Sequence, residues 1–382
     1  MKHKRVITLI LALIFLCGTF PHAVANSTSP VTDYDLADVR AIALNTPRRF
    51  QPTSNWVNID ITKVTPLYDL ETNVIAYCVD MQNAETDENA YVFVNADKTG
   101  YPILQYSPEG KSPYFDVESE QALYLVAGRY CSMEDGVITE LATGETISLQ
   151  NLLAERETAA EAASINEEQA TESVIDTTDY SALRADFIEG SLSARGYDTK
   201  EVVIKKVPNW QWYKGCVPTA VAMQIANLLP SVPSSGTSMI STLAGYMNTT
   251  NGSTQLNKIA NGAQTYIYDC GFTKQTLAVW QSVNALGFPR YGSTYNPYSA
   301  YTSEIDLGRA VCIQSENATV STPGYANGWD SHMITGVGYS FSTVNSQEKY
   351  VIVHTTNTAG GKVYIPIFGT ALGSYGWFKI VQ

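Results

Sequence analysis

The chain has 382 residues, 45% of them hydrophobic, and a formal net charge of −13. That length suits two domains with cores of their own, and the composition is not that of a disordered or fibrous chain. An acidic balance of this size repels phosphate backbones and argues against a nucleic-acid partner.

The first residues, MKHKRVITLILALIFLCGTFPHAVANS, place Lys2, Lys4 and Arg5 ahead of an apolar run from Val6 to Leu16 and of Ala23-Val24-Ala25. Basic, apolar and small residues in that order predict a secretory signal peptide at 1–25, cut after Ala25. A lipid-bearing role for Cys17 fits less well, because Leu16 precedes it where a small residue is needed. No later segment is long and apolar enough to span a bilayer. The expected product is therefore secreted, at most associated with the cell surface, and meets the membrane only through its signal peptide during export.

Loss of three cations takes the net charge to about −16. His3 and His22 leave as well, so His332 and His354 are the imidazoles that remain. Cysteines remain at positions 78, 131, 216, 270 and 312. An odd number leaves at least one thiol unpaired. Cys270 with Cys312 is one possible pairing and would leave Cys216 free in the second half; sequence does not fix the connectivity, and a fully reduced set is also open.

Short runs that alternate apolar and polar residues fill the first half: NVIAYCVDM (73–81), NAYVFVNA (89–96), YPILQYS (101–107) and QALYLVAG (121–128). Asp97-Lys98-Thr99-Gly100 supplies turn chemistry between the second and third. These predict an antiparallel sheet, with room for a helix, over 26–151. The stretch 152–180 then sets eight acids against Arg156 alone and holds no aromatic residue before Tyr180. Such a segment buries little, and reads as an exposed acidic linker open to proteolysis.

A second domain is expected over 181–382. Val221, Ala222, Ile225, Leu228 and Leu229 share one helical face after Pro218, and Pro230 stops that helix. Further helical spacings cover Gln255–Cys270, stopped by Gly271, and Gln275–Leu286, stopped by Gly287. Beyond Ala310 come strand patterns: VCIQSE, HMITGVGYSF, KYVIVHTT, KVYIPIF and GWFKIV. Helices followed by strands predict an α+β domain with the helix after Cys216 packed on the sheet.

A cysteine at the first turn of a helix meets the positive end of the helix dipole and unpaired N–H groups, which favour the thiolate. A nucleophilic thiol also needs a base, an oxyanion donor and a group that orients the base. Cys216 stands at the helix start, Gln211 lies five residues upstream, His332 opens a strand, and Asn357 follows the next strand. His354 is the alternative base. The rival reading of Cys216 is a small buried core residue. Trp210, Trp212 and Tyr213 either join the core or line a substrate cleft. Neither Cys-x-x-Cys nor His-Glu-x-x-His is present, and no glycine loop suited to phosphate lies between a strand and a helix, so no metal or organic cofactor is expected.

WQWYKGCVPTAVAM together with GWDSHMITGVGYSF resembles the papain-like fold of the C39-type cysteine peptidases, over roughly residues 200–382. The resemblance implies Cys216 as nucleophile, His332 as base and Gln211 as oxyanion donor, acting on a peptide or protein substrate. Asn357 is the expected orienting residue, although it stands late after strand 350–353, and Thr355 or Thr356 could hold its place. AYCVDM with AYVFVNADKTGYPILQYSPEGKSPY is similar to the pro-segments of streptopain-type secreted cysteine peptidases. That implies a zymogen whose own N-terminal domain is its intramolecular inhibitor. Two other functions share the Cys–His geometry: a transglutaminase-like acyl transferase and a catalytically inactive binding or surface-interaction module.

Overall fold

The computed structural model describes residues 33–50, 56–117, 121–154, 178–190, 199–232, 235–272, 278–283, 297–316, 331–357, 361–368 and 374–381. The expected signal peptide at 1–25, with Cys17, and most of the acidic stretch lie outside these residues.

Helix α1 (Asp33–Phe50) precedes eight strands: β1 (Ile59–Tyr68), β2 (Val74–Asn83), β3 (Asn89–Asn95), β4 (Ile103–Ser107), β5 (Gln121–Val126), β6 (Arg129–Glu134), β7 (Val137–Glu140) and β8 (Thr146–Ser148). Helix α2 (Ser181–Glu189), β9 (Thr199–Val203), α3 (Cys216–Leu228), α4 (Gly236–Tyr246) and α5 (Leu256–Asp269) follow. The chain then forms β10 (Ala278–Val283), α6 (Pro297–Asp306), β11 (Val311–Glu316), β12 (Ser331–Ser342), β13 (Lys349–His354), β14 (Val363–Pro366) and β15 (Ser374–Val381). The result is an α+β fold on one large, mainly antiparallel sheet in the order β10-β15-β11-β12-β13-β14-β4-β3-β2-β1-β5-β6-β7-β8, with β9 added to β12. The β1–β5 pair is parallel.

The central strands are buried on both faces, where the sequence pattern suggested one polar face. Period-two alternation sorts their side chains into two cores rather than into core and solvent. Ala76, Cys78, Tyr91, Phe93, Val351, Val353, Val363 and Ile365 point to one core. Tyr77, Val79, Val92, Val94, Tyr350, Ile352 and Tyr364 point to the other, which α1 and α2 cover with Ile42, Ala43, Leu183 and Phe187. Each core therefore draws on both halves of the chain, and β14 joins β4 through Tyr364 and Tyr106. Between the halves, Arg49 Nε and Nη2 donate to the two carboxylate oxygens of Glu348 at 2.7 and 2.6 Å, with both residues buried. Helix α2, which opens the expected second domain, also makes hydrogen bonds to the first half. Asn45 donates to the carbonyl of Phe187 at 2.8 Å, and Arg184 to that of Asn95 at 2.9 Å.

A third cluster joins α3, α4 and α5 to Cys312, Met333 and Ile380 on β11, β12 and β15. This is the helix-on-sheet contact expected for the segment after Cys216. The segment 275–286 departs from its expected helix: residues 278–283 form β10, in antiparallel pairing with β15 from Ala278–Val381 to Val283–Gly376. Val279, Trp280 and Val283 are good strand formers, and the open edge of β15 supplies hydrogen bonds that a helix would have forgone. Cys270 and Cys312 are both free thiols, as are Cys78, Cys131 and Cys216, so the possible Cys270–Cys312 pairing is absent. No described helix is long and apolar enough to cross a membrane.

Candidate active site

Two consecutive backbone turns and one side-chain hydrogen bond aim Cys216 at the sheet. Lys214 has φ 61° and Gly215 φ 142°, a turn that a side chain at Gly215 would obstruct, since a Cβ there would lie 2.8 Å from the carbonyl oxygen of Gly252. The Thr219 hydroxyl then donates to the Gly215 carbonyl at 2.7 Å and closes the first turn of α3. Cys216 emerges 8% exposed at that helix start. Backbone N–H groups of Val217 and Met333 face its sulfur and favour the thiolate, as does the charge of Arg129. Burial outweighs them, and with Glu140 nearby it leaves the thiol pKa above its ordinary value.

His332 lies one residue before Met333, at the start of β12, and is 1% exposed. Its Nε2 is 2.9 Å from the backbone carbonyl of Thr355 and 3.2 Å from the Thr356 hydroxyl. A carbonyl only accepts, so Nε2 carries the proton and Nδ1 is left with a lone pair. Nδ1 is buried without a hydrogen-bond partner among the described residues. Burial first, and then the neighbouring Arg129 charge, push the imidazole pKa down to about 4, against opposing effects of Glu140 and Thr355. No hydrogen bond joins Cys216 and His332 among the described residues.

The cover over this pair comes from the first half of the chain. The turn between β5 and β6 brings Gly128, at φ 86°, against the imidazole; a Cβ there would lie 2.9 Å from His332 Cδ2 and 2.8 Å from Ile334 Cγ2. The next residue, Arg129, forms a buried ion pair with Glu140 on β7, Nη2 to Oε2 at 3.2 Å. Ser315 on β11 donates to the Ala127 carbonyl at 2.9 Å. Asn357 donates from Nδ2 to the Gly128 carbonyl at 2.6 Å and lies 3.4 Å from Glu140 Oε1.

The four residues singled out from sequence thus take separate places. Cys216 and His332 come to neighbouring positions, each within the field of the Arg129–Glu140 pair. Asn357 holds the covering turn, and the imidazole is oriented by Thr355 and Thr356. Gln211 is exposed on the loop before α3, with no hydrogen bond to Cys216 among the described residues. His354 is bound to the Pro208 carbonyl, Nδ1 to oxygen 3.1 Å. Trp210 packs on Gly236 and Trp212 on Gly252, both bordering the helical cluster, while Tyr213 is exposed. Sequence reasoning missed Arg129, Glu140 and Ser315. The only local signal was an Arg beside a Gly inside the apolar run QALYLVAGRYC. No family model matches the chain, and no curated protein or solved structure is significantly similar to it.

Proposed function

We propose that the chain is an exported, papain-like cysteine peptidase in its latent form, with the N-terminal half as its inhibitor. The observation that carries this reading is the meeting of a helix-start thiol with the N–H of Met333, next to an imidazole whose proton-bearing nitrogen is already engaged. Once the cover withdraws, Nδ1 of His332 takes the thiol proton. The thiolate attacks a peptide carbonyl, and the tetrahedral oxyanion is held by the Cys216 N–H; Gln211, exposed on its loop in the covered state, has to turn inward to serve as the second donor. The imidazolium returns the proton to the leaving amine, and water hydrolyses the thioester to regenerate the thiol. In the covered state burial keeps thiol and imidazole neutral, so the nucleophile is not formed.

The test is intact mass over time, under reducing conditions, for the chain beginning at Asn26 beside its Cys216→Ala variant. Shortening by a cut within 152–180 in the first, with the second left whole, is the expected result. If both stay whole, self-maturation is overturned, and a silent interaction module or an acyl transferase becomes the better reading. Transfer to an added amine separates those two.

A further inference from the structure

Two donors from the second half of the chain grip consecutive carbonyls of one turn in the first half. Ser315 Oγ holds Ala127 O at 2.9 Å, and Asn357 Nδ2 holds Gly128 O at 2.6 Å. That turn carries Gly128 against His332 and is followed at once by Arg129, whose ion pair with Glu140 lies within the field of Cys216. Asn357 reaches Glu140 as well, at 3.4 Å, so one carboxamide touches both the turn and its buried charge pair. The same carboxamide makes no hydrogen bond to the imidazole among the described residues, and its Oδ1 is buried without a hydrogen-bond partner there.

We propose that Ser315 and Asn357 form a latch for the Ala127–Arg129 turn, and that Asn357 keeps the site closed instead of orienting His332. This rests on the latent-peptidase reading only in naming what the latch restrains. It gives Asn357 a sign opposite to that of an orienting residue. Losing the carboxamide leaves the Gly128 carbonyl short of its donor, so the turn lifts more often and the thiol meets solvent. An orienting Asn would, when removed, slow every reaction of the pair.

The experiment is native-state alkylation of the full chain beginning at Asn26 with iodoacetamide, read cysteine by cysteine from peptide masses. The wild type is compared with Asn357→Ala, Ser315→Ala and the double variant. Each single variant is expected to speed alkylation of Cys216 roughly threefold to tenfold, as loss of one buried hydrogen bond implies, and the double variant more. Cys78, Cys131 and Cys312, all buried, should stay protected and so report that the chain has not unfolded. The latch is overturned if Cys216 reacts at the wild-type rate in both single variants, if Asn357→Ala slows it, or if the buried cysteines open together with it. The peptidase reading fails separately. Faster alkylation in a chain that never cuts itself leaves the latch standing without the peptidase, and self-cleavage with unchanged alkylation does the reverse.

Discussion

Thr356 places a β-branched side chain at φ 67°, in the left-handed region that such residues avoid. Strain of this kind costs on the order of 1–3 kcal/mol and persists only where the surroundings enforce it. Here they do: the Thr356 carbonyl accepts from the Trp212 N–H at 2.6 Å, and its hydroxyl sits 3.2 Å from His332 Nε2. Lys214, also at positive φ, follows Trp212 by two residues, so two left-handed non-glycine residues flank the thiol and imidazole. The imidazole itself carries a pH signature. Its folded pKa is lowered to about 4 from the usual 6.5. Above the unfolded value both states are neutral and nothing is lost. As pH falls from about 6.5 to about 4 the unfolded chain takes up a proton that the folded chain refuses, so stability drops, by about 3 kcal/mol in all. His354 is lowered too, mainly by burial. Comparing the Cys216→Ala chain with Cys216→Ala/His332→Gln cancels that second contribution. Urea midpoints at pH 7 and pH 4 should show a smaller acid loss in the double variant; equal losses would disprove the buried neutral imidazole.

At the scale of elements, α3 sets the position of the thiol, and Gln224 sets the register of α3. Its Nε2 donates to the Ala310 carbonyl at 2.9 Å, and its Oε1 lies 3.4 Å from the Cys312 sulfur, all of them buried. Replacing it by Ala opens a cavity and strands a buried carbonyl, an expected loss of about 2–3 kcal/mol. Urea unfolding of Gln224→Ala in the Cys216→Ala background measures it, with faster alkylation of Cys312 as the local mark; an unchanged midpoint would mean α3 is held by its apolar face alone. That apolar face was legible in the sequence. The spacing over Pro218–Leu229 and Gln255–Cys270 lies within two residues of α3 and α5 as observed. Helix α4, GTSMISTLAGY, was not legible, because its Gly, Ser and Thr are poor helix formers and its helicity depends on burying Met239, Ile240 and Leu243. Strand β10 was misread because short apolar runs suit both periods until a partner strand decides. In the site, the scarcity of imidazoles pointed to His332, and a helix start pointed to Cys216. Arg129 and Glu140 were invisible, since their place beside Cys216 arises from packing between elements some 80 residues apart in sequence, which no spacing rule reports.

Over the whole molecule, the acidic stretch and the cores make different statements about where the chain divides. Composition puts a boundary at 152–180, yet both cores beneath the sheet mix residues from either side of it. Arg49 anchors the junction: its guanidinium stacks 4.1 Å from the centre of the Phe187 ring and meets Glu348 with two hydrogen bonds. A cut in the acidic stretch severs the covalent link and none of these contacts. The nicked protein should therefore run as one species on size exclusion in native buffer and as two bands after denaturation. Separation of the halves without denaturant would refute the shared core. Glu348→Ala leaves Arg49 buried without its carboxylate partner, a loss of about 3–5 kcal/mol for a broken buried pair, and in the nicked protein that loss falls on association. Halves of the nicked Glu348→Ala chain should come apart on dilution, while a nicked chain with both partners replaced, Arg49→Met with Glu348→Leu, should hold together far better, because no charge is then stranded. On the latent-peptidase proposal, maturation would need two events: a cut made while the Ala127–Arg129 turn is briefly lifted, and then loss of the inter-half contacts around Arg49 and that turn so that Cys216 stays uncovered.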